Sequence, residues 1–103
     1  MYKITRNIQT QGDFGVHVSN DEAEGLIALV RPEIDIQSAY DTLRRGQIGM
    51  VSIGGTDAPG RPSPVYEVEA DSMMDGLRFR FTPLHPDGMK LHEKVEKLIS
   101  NPQ

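Results

Sequence analysis

The chain has 103 residues, of which 37% are hydrophobic and 25% charged, and it contains no cysteine. This length predicts that residues 1–103 form one domain around one core, and the lack of cysteine excludes disulfide bonds, thiolate metal sites and cysteine nucleophiles. The net charge is −4, and residues 1–43 carry the whole excess, with seven acidic and three basic residues. Such a small acidic protein lacks the basic surface with which proteins bind nucleic acid directly.

The first nineteen residues alternate apolar and polar side chains, which is typical of two half-buried strands. The alternating apolar residues are Tyr2, Ile4 and Ile8 in the first strand and Phe14, Val16 and Val18 in the second. The turn-forming segment Gln11-Gly12-Asp13 lies between them, so the two strands are predicted to form a hairpin.

Two helices are predicted after this hairpin. Ser19 and Glu22 have the spacing of a capping box, in which each side chain binds a free backbone N–H at the helix start. Pro32 ends the first helix, whereas Asp35 is the expected N-cap of the second and Gly46 its stop. The apolar residues of both helices recur at intervals of three and four, as on one helix face: Ala23, Leu26, Ile27 and Val30, then Ile36, Ala39, Tyr40 and Leu43.

The middle of the chain changes abruptly in composition. Residues from Ile48 to Ile53 are nearly all apolar, which predicts a strand that is covered on both faces or central in the sheet. Gly54 to Pro64 contains three glycines and three prolines in eleven residues. This second segment is therefore expected to be a flexible, exposed loop with little regular hydrogen bonding.

A second hairpin is predicted over residues 65–70 and 77–81, with a six-residue loop between its strands. In the predicted register Ala70 lies opposite Leu77, so that one face of the hairpin is apolar and the other pairs opposite charges. The remaining pairs are Val68 with Phe79, Tyr66 with Phe81, Glu69 with Arg78 and Glu67 with Arg80.

A last helix is predicted from about Asp87, with a buried stripe of Leu91, Val95, Leu98 and Ile99. The element order is thus ββ-αα-β-ββ-α. It indicates an α+β fold in which an antiparallel sheet of about five strands has amphipathic helices packed on one face. The opposite face is polar and is either solvated or in contact with a partner; its residues are Lys3, Thr5, Asn7, His17, Glu67, Glu69, Arg78 and Arg80.

Motifs for chemistry are not found. The glycine-rich segment from Gly54 lacks the Lys-Ser/Thr ending of a phosphate-binding loop, and the segment from Asp71 lacks the ligands of a calcium loop. No His-Glu-x-x-His or Gly-x-Ser-x-Gly pattern occurs. His92 borders Ile99 on the last helix, and its side chain is interpreted as partly covered, hydrogen-bonded and structural. We therefore predict no catalytic residue, metal ligand or cofactor.

Two adjacent methionines, Met73 and Met74, are the unexplained feature of the second hairpin. Large apolar side chains do not help a turn to form, whereas flexible thioethers suit adaptable contacts between proteins. The predicted partner-binding residues are therefore Met73 and Met74, with Asp71 and Asp75 as a charged rim and Arg61 as a contact for an anionic partner. The alternative is that the methionines fold back onto the domain.

Three classes of function remain open from the sequence. The first is a non-enzymatic protein-binding module, such as an inhibitor, an adaptor or an immunity-type protein, a class that includes phage-encoded anti-defence proteins. The second is a self-assembling structural subunit, hence a homo-oligomer, and the third is a small enzyme or ligand-binding domain that uses a histidine. The N-terminus lacks a signal-like apolar stretch and no segment is long enough to span a membrane, so a cytoplasmic protein is expected.

Overall fold

The computed structural model describes residues 3–6, 12–58 and 61–100. Its elements are β1 (Lys3–Arg6), β2 (Phe14–Val18), α1 (Asn20–Val30), α2 (Gln37–Arg44), β3 (Gly49–Ala58), β4 (Arg61–Met73), β5 (Gly76–Pro83) and α3 (Pro86–Ser100). The five strands pair antiparallel in one open sheet, in the order β1-β2-β5-β4-β3. The predicted α+β fold and the order of its elements are confirmed.

The helices cover one face of this sheet. α2 packs against β3 and β4, α3 against β4 and β5, and α1 contacts α3, β2 and β5. The buried side chains that the three central strands contribute to the core are Phe14, Val16, Val18, Tyr66, Val68, Ala70, Leu77, Phe79 and Phe81. The rings of Phe14 and Phe81 stack with their centroids 5.1 Å apart. The face away from the helices is called the open face below.

The first hairpin and the first helix agree with their local signals. β1 pairs with β2 so that Lys3 lies opposite His17, whereas the predicted strand residues Tyr2, Asn7 and Ile8 lie outside the described residues. In the capping box the Glu22 backbone N–H donates to Ser19 Oγ at 3.3 Å, and the Ser19 N–H donates to Glu22 Oε1 at 3.1 Å. The Ser19 hydroxyl also donates to Glu22 Oε1, at 3.0 Å, and the hydrogen bonds that the carboxyl accepts from the Ser19 backbone and side chain lower its pKa.

The second helix begins one residue later than predicted. Its N-cap is Ile36 and not Asp35, although Asp35 Oδ1 still accepts a hydrogen bond from the Gln37 backbone N–H at 3.1 Å. The Asp35 carboxylate therefore still binds a free N–H of the first turn, although Asp35 lies one residue before the N-cap. Gly46 follows the helix with a φ of +85°, a left-handed conformation that glycine adopts at no steric cost.

The last helix differs from prediction in the face that it buries. Leu91 and Leu98 are only half-buried, and the buried residues of α3 are Gly88, His92, Val95 and Ile99. A Cβ at Gly88 would collide with the carbonyl oxygen of Val65, so α3 lies directly against the backbone of β4 there. This close approach turns the face that contains Gly88 and His92 towards the sheet.

The prediction of a central or doubly covered strand at residues 48–53 is wrong. β3 is an edge strand, and Ile48 and Met50 are 74% and 58% exposed. α2 covers only the side of β3 that contains Gly49, where a Cβ would collide with the carbonyl oxygen of Ala39. Ile48 and Met50 alternate with Gly49 along the chain, so their side chains lie on the open face.

The prediction of an unpaired loop over Gly54 to Pro64 is also wrong for the part of it that the structure describes. β3 continues to Ala58 and β4 begins at Arg61, and the two strands pair with register shifts between Ile53 and Gly54 and between Thr56 and Ala58. Such bulges let a strand contain prolines, which cannot donate to the ladder.

The predicted register of the second hairpin is wrong by two residues. Ala70 lies opposite Phe79 instead of Leu77, and Glu69 lies opposite Arg80 instead of Arg78. A shift of two residues keeps every side chain on its predicted face, because side chains alternate with a period of two. The apolar and charged faces are therefore as predicted, but the partners across the strands are different.

Candidate functional site

The turn between β4 and β5 has two residues, Met74 and Asp75, where the sequence predicted a six-residue loop. β4 extends to Met73, which pairs with Gly76 at the start of β5. A Cβ at Gly76 would collide with the carbonyl oxygen of Val18, so β5 begins in direct contact with the end of β2. The turn is thus held by neighbouring strands on both sides of β5.

Both methionines at this turn are exposed. Met74 is fully exposed, and Met73, the last residue of β4, is 41% exposed. The alternative in which the pair folds back onto the domain is therefore wrong for Met74. Met73 lies two residues after Asp71 in β4, and Asp71 is opposite Arg78. Its side chain is therefore on the same side as these two, on the open face of the sheet.

Ile48 and Met50 extend this apolar surface onto the neighbouring edge strand. Met50 lies opposite Glu69 of β4, and Ile48 has the same parity two residues earlier. Ile48 and Met73 line the same open depression of about 550 Å³, to which Leu43 also contributes. We call Ile48, Met50, Met73 and Met74 together the apolar end of the sheet.

The sequence predicts the two methionines of the apolar end as binding residues, but it does not predict Ile48 and Met50, because their apolar run is typical of a buried strand. The one signal in the sequence for these exposed positions was Gly49, which lies between Ile48 and Met50. Because glycine has no side chain, its side of the strand can lie against a helix backbone, with Ile48 and Met50 on the other side.

Ion pairs border the apolar end on the open face. Arg78 donates to Asp71 at 3.0 Å, and Arg80 donates to Glu69 at 3.2 Å. Both pairs are partly solvated, and exposed pairs of this kind contribute at most about 1 kcal/mol to stability. Asp71, which the sequence predicts as part of a charged rim, is therefore one half of an ion pair with Arg78.

Asp75, in the turn itself, has a different neighbour. Its Oδ1 lies 3.1 Å from Nε2 of His17 in β2, and its side chain is 78% exposed. The contact is an ion pair only when the imidazole is protonated. Asp75 thus keeps a solvent-facing carboxylate beside Met74, and its role in a charged rim stays a prediction.

Arg61 does not belong to this surface. It is the first residue of β4 and pairs with Ala58, whereas Met73 is the last residue of the same thirteen-residue strand. At about 3.3 Å per residue the two ends are roughly 40 Å apart. The side chain of Arg61 lies outside the described part of the structure.

The histidine of the last helix is hydrogen-bonded, as predicted, but it is buried and not partly covered. His92 is 2% exposed, and its Nδ1 is 3.0 Å from the hydroxyl oxygen of Tyr66, which is itself fully buried. Its ring also lies 4.8 Å from that of Phe14. Burial raises the pKa of Tyr66 well above its ordinary value, and the negative charge of Glu96 adds to this effect. The contact thus gives the Tyr66 hydroxyl and His92 Nδ1 a hydrogen-bond partner inside the core.

The two remaining histidines have neighbours of their own. His17 lies beside Asp75, and His85 Nδ1 accepts a hydrogen bond from the Asp87 backbone N–H at 3.2 Å, at the start of α3. Over residues 3–6, 12–58 and 61–100, no three His, Asp or Glu side chains come together in a group that could hold a metal ion. Within those same ranges no helix has the length and apolar character needed to cross a membrane. Comparison of the chain with protein-family models, curated proteins and solved structures gives no match.

Proposed function

We propose that this protein is a non-enzymatic binding module that docks a protein partner through the apolar end of its sheet. One observation carries the proposal. Of the six large apolar side chains that are exposed in the described part of the chain, four are gathered there, and only Leu84 and Met89 lie elsewhere. Large apolar side chains concentrated at one place on a surface are typical of protein-interaction sites.

The chemistry of the apolar end favours a particular kind of partner. Methionine side chains adapt to irregular apolar surfaces, and binding energy concentrates in a few side chains that lose their water on docking. Asp75 contributes an exposed carboxylate beside them, and the whole chain carries a net charge of −4. We therefore expect a protein partner with an apolar depression that is bordered by basic side chains.

An inhibitor, adaptor or immunity-type role is the form of this function that we favour. The open face supports binding without chemistry, because four of its charged residues are engaged with one another in the Arg78–Asp71 and Arg80–Glu69 pairs. The cytoplasmic location expected from the sequence belongs to the same proposal.

The test is to substitute both methionines, Met73→Ser together with Met74→Ser. Tagged wild-type protein is used to isolate a partner from the native host, and the dissociation constant is then measured with purified components. We expect the double variant to lose more than about 2 kcal/mol of binding free energy, roughly a thirtyfold weaker affinity. Its stability should change by no more than about 0.5 kcal/mol, because both side chains are exposed.

Met89→Ser is the matched control, because Met89 is also an exposed methionine but lies on α3. It should leave the affinity unchanged. The proposal fails if the folded double variant binds as tightly as wild type, or if Met89→Ser weakens binding to the same extent.

A further inference from the structure

The two edges of the sheet differ in length and in charge. β1, at one edge, has four residues and includes Lys3 and Arg6. β3, at the other edge, has ten residues, and the segment from Ile48 to Thr56 contains no charged residue and no proline. Lysine, proline and short length are the usual means by which proteins prevent an edge strand from pairing with another chain. β3 lacks these protections over residues 49–56.

The first half of β3 also has regular geometry. Gly49 to Ile53 pair residue for residue with Ala70 to Tyr66, and the register shifts begin only after Ile53. Within the described part of the chain, no strand pairs with the other side of β3. Alternate backbone N–H and C=O groups of residues 49–53 therefore point away from the sheet and can pair with an added strand.

The core is not fully covered on the helix side of this edge. Val51 and Ile53 contact the core but are only partly buried. Val68 and Tyr66, which lie opposite them in β4, are completely buried. Apolar side chains on a strand added to β3 would remove the remaining apolar surface of Val51 and Ile53 from water, which favours the addition.

The open face has an unbalanced charge beside the same edge. Glu67 of β4 lies between two uncharged residues, Ser52 of β3 and Thr82 of β5. Its side chain is partly buried, and it has no hydrogen bond or ion pair with any residue that the structure describes. The next acid on this face, Glu69, is already paired with Arg80. A partly buried carboxylate without a cation is complementary to an incoming basic side chain.

We propose that an extended segment of the protein partner adds to β3 as a sixth strand, with a lysine or arginine beside Ser52 and apolar side chains around it. The basic side chain crosses Ser52, which is small and exposed, to reach the Glu67 carboxylate. The two strands that carry these charges are two strand spacings apart, about 10 Å, which the two long side chains span together. The apolar side chain two positions along lies beside Met50 of the apolar end.

This inference rests on the proposed function, because it states how the partner that docks at the apolar end continues along the sheet. Charge is the reason for choosing a basic segment of another protein as the occupant. A second copy of β3 would bring no cation to Glu67, because the segment from Ile48 to Thr56 is uncharged. A strand with one lysine or arginine neutralises the carboxylate, and its backbone groups extend the ladder.

A synthetic peptide tests strand addition without the native partner. Its sequence is Ser-Gly-Ile-Val-Lys-Val-Ile-Gly-Ser with both ends capped, which reads the same in both directions and so suits a parallel or an antiparallel strand. Binding is followed by the backbone amide chemical shifts of the whole protein. We expect shifts to change in residues 49–53 and not in β1. The same peptide with N-methylated residues from Ile to Ile should not bind, because it cannot donate to the ladder.

Exchange of charges tests the contact with Glu67. Wild type should bind the lysine peptide at least about tenfold more tightly than the same peptide with glutamate in place of lysine, because like charges then meet. Glu67→Lys should reverse this preference, and Glu67→Gln, which keeps the size of the side chain, should abolish it. Glu93→Lys, which changes an exposed acid on α3, is the matched control and should keep the wild-type preference.

The proposal is overturned if the lysine peptide changes no shifts in residues 49–53 at concentrations up to about 1 mM. It is also overturned if wild type binds the lysine and glutamate peptides equally, or binds the N-methylated peptide as tightly. Met73→Ser with Met74→Ser should leave peptide binding unchanged, because the peptide does not reach the turn between β4 and β5. Failure of the peptide would therefore leave docking at the apolar end standing. Normal partner binding by the double methionine variant would contradict that docking alone.

Discussion

Phe79 and Arg80 are neighbours in β5 and lie on opposite faces of the sheet. Phe79 is completely buried beneath the helices, whereas Arg80 is partly exposed and bonds to Glu69. The covered face consists of apolar side chains and contains the buried contact between Tyr66 and His92. The open face consists of solvated ion pairs next to the apolar end. Stability therefore depends mainly on the covered face, so that the open face can be altered without unfolding the protein.

Alanine substitution of these two neighbours gives the largest expected contrast. Phe79→Ala should lower the free energy of unfolding by about 3–5 kcal/mol, because it leaves a cavity in the core. Arg80→Ala should lower it by less than about 1 kcal/mol, because it removes one exposed ion pair. Urea denaturation of both variants measures the difference. Similar losses for the two variants would contradict the division between the faces.

Tyr66→Phe tests the polar contact within the covered face. Removing the hydroxyl takes away the hydrogen bond to His92 and should lower the free energy of unfolding by about 1–3 kcal/mol at neutral pH. The expected loss is smaller than for Phe79→Ala because no large cavity forms. Urea denaturation at pH 7 measures it, and a variant as stable as wild type would show that the bond contributes nothing.

The same variant also changes how stability depends on pH. Because burial raises the pKa of Tyr66, the folded protein holds the phenolic proton more tightly than the unfolded chain, which ionises near pH 10. The contribution of Tyr66 is therefore fully present below about pH 10 and is lost as the pH rises further. The stability advantage of wild type over Tyr66→Phe should shrink between about pH 10 and pH 12. A constant difference over this range would contradict the assignment.

Charge reversal on the open face gives the smallest effect and tests the observed register. Glu69→Arg with Arg80→Glu should restore part of the stability lost by each single change, with a coupling of about 0.2–1 kcal/mol. Glu69→Arg with Arg78→Glu should show no such recovery, because Arg78 pairs with Asp71. Favourable coupling between Glu69 and Arg78 would instead support the register shifted by two residues.

This register could not be derived from the sequence. Acidic residues occupy positions 67, 69 and 71, and arginines occupy positions 78 and 80. Two registers that differ by two residues therefore both pair acids with arginines and both keep the apolar side chains on one face. The two registers are distinguished by the two-residue turn and by the contact between Gly76 and the end of β2. Both of these features exist only in the folded protein.

The candidate site was predictable only in part, for a related reason. Met73 and Met74 stand out in the sequence because a turn has no local use for two large apolar side chains. Ile48 and Met50 do not stand out, because an apolar run looks the same whether its strand lies at the centre or at the edge of a sheet. Arg61 is also a predicted partner-binding residue, as a contact for an anionic partner, yet β4 separates it from the methionines by its whole length.

The helices and the first hairpin could be predicted from the sequence, because their signals act between residues a few positions apart. The capping box of Ser19 and Glu22 and the spacing from Ala23 to Val30 define α1 before any tertiary contact forms. The strand order, the hairpin register and the buried face of α3 are known only from the tertiary structure. These depend on long-range contacts such as Gly88 against Val65 and Gly49 against Ala39, in which backbones approach one another closely. The same contacts place β3 at the edge and so leave Ile48 and Met50 on the open face, where Ile48 lines the same depression as Met73.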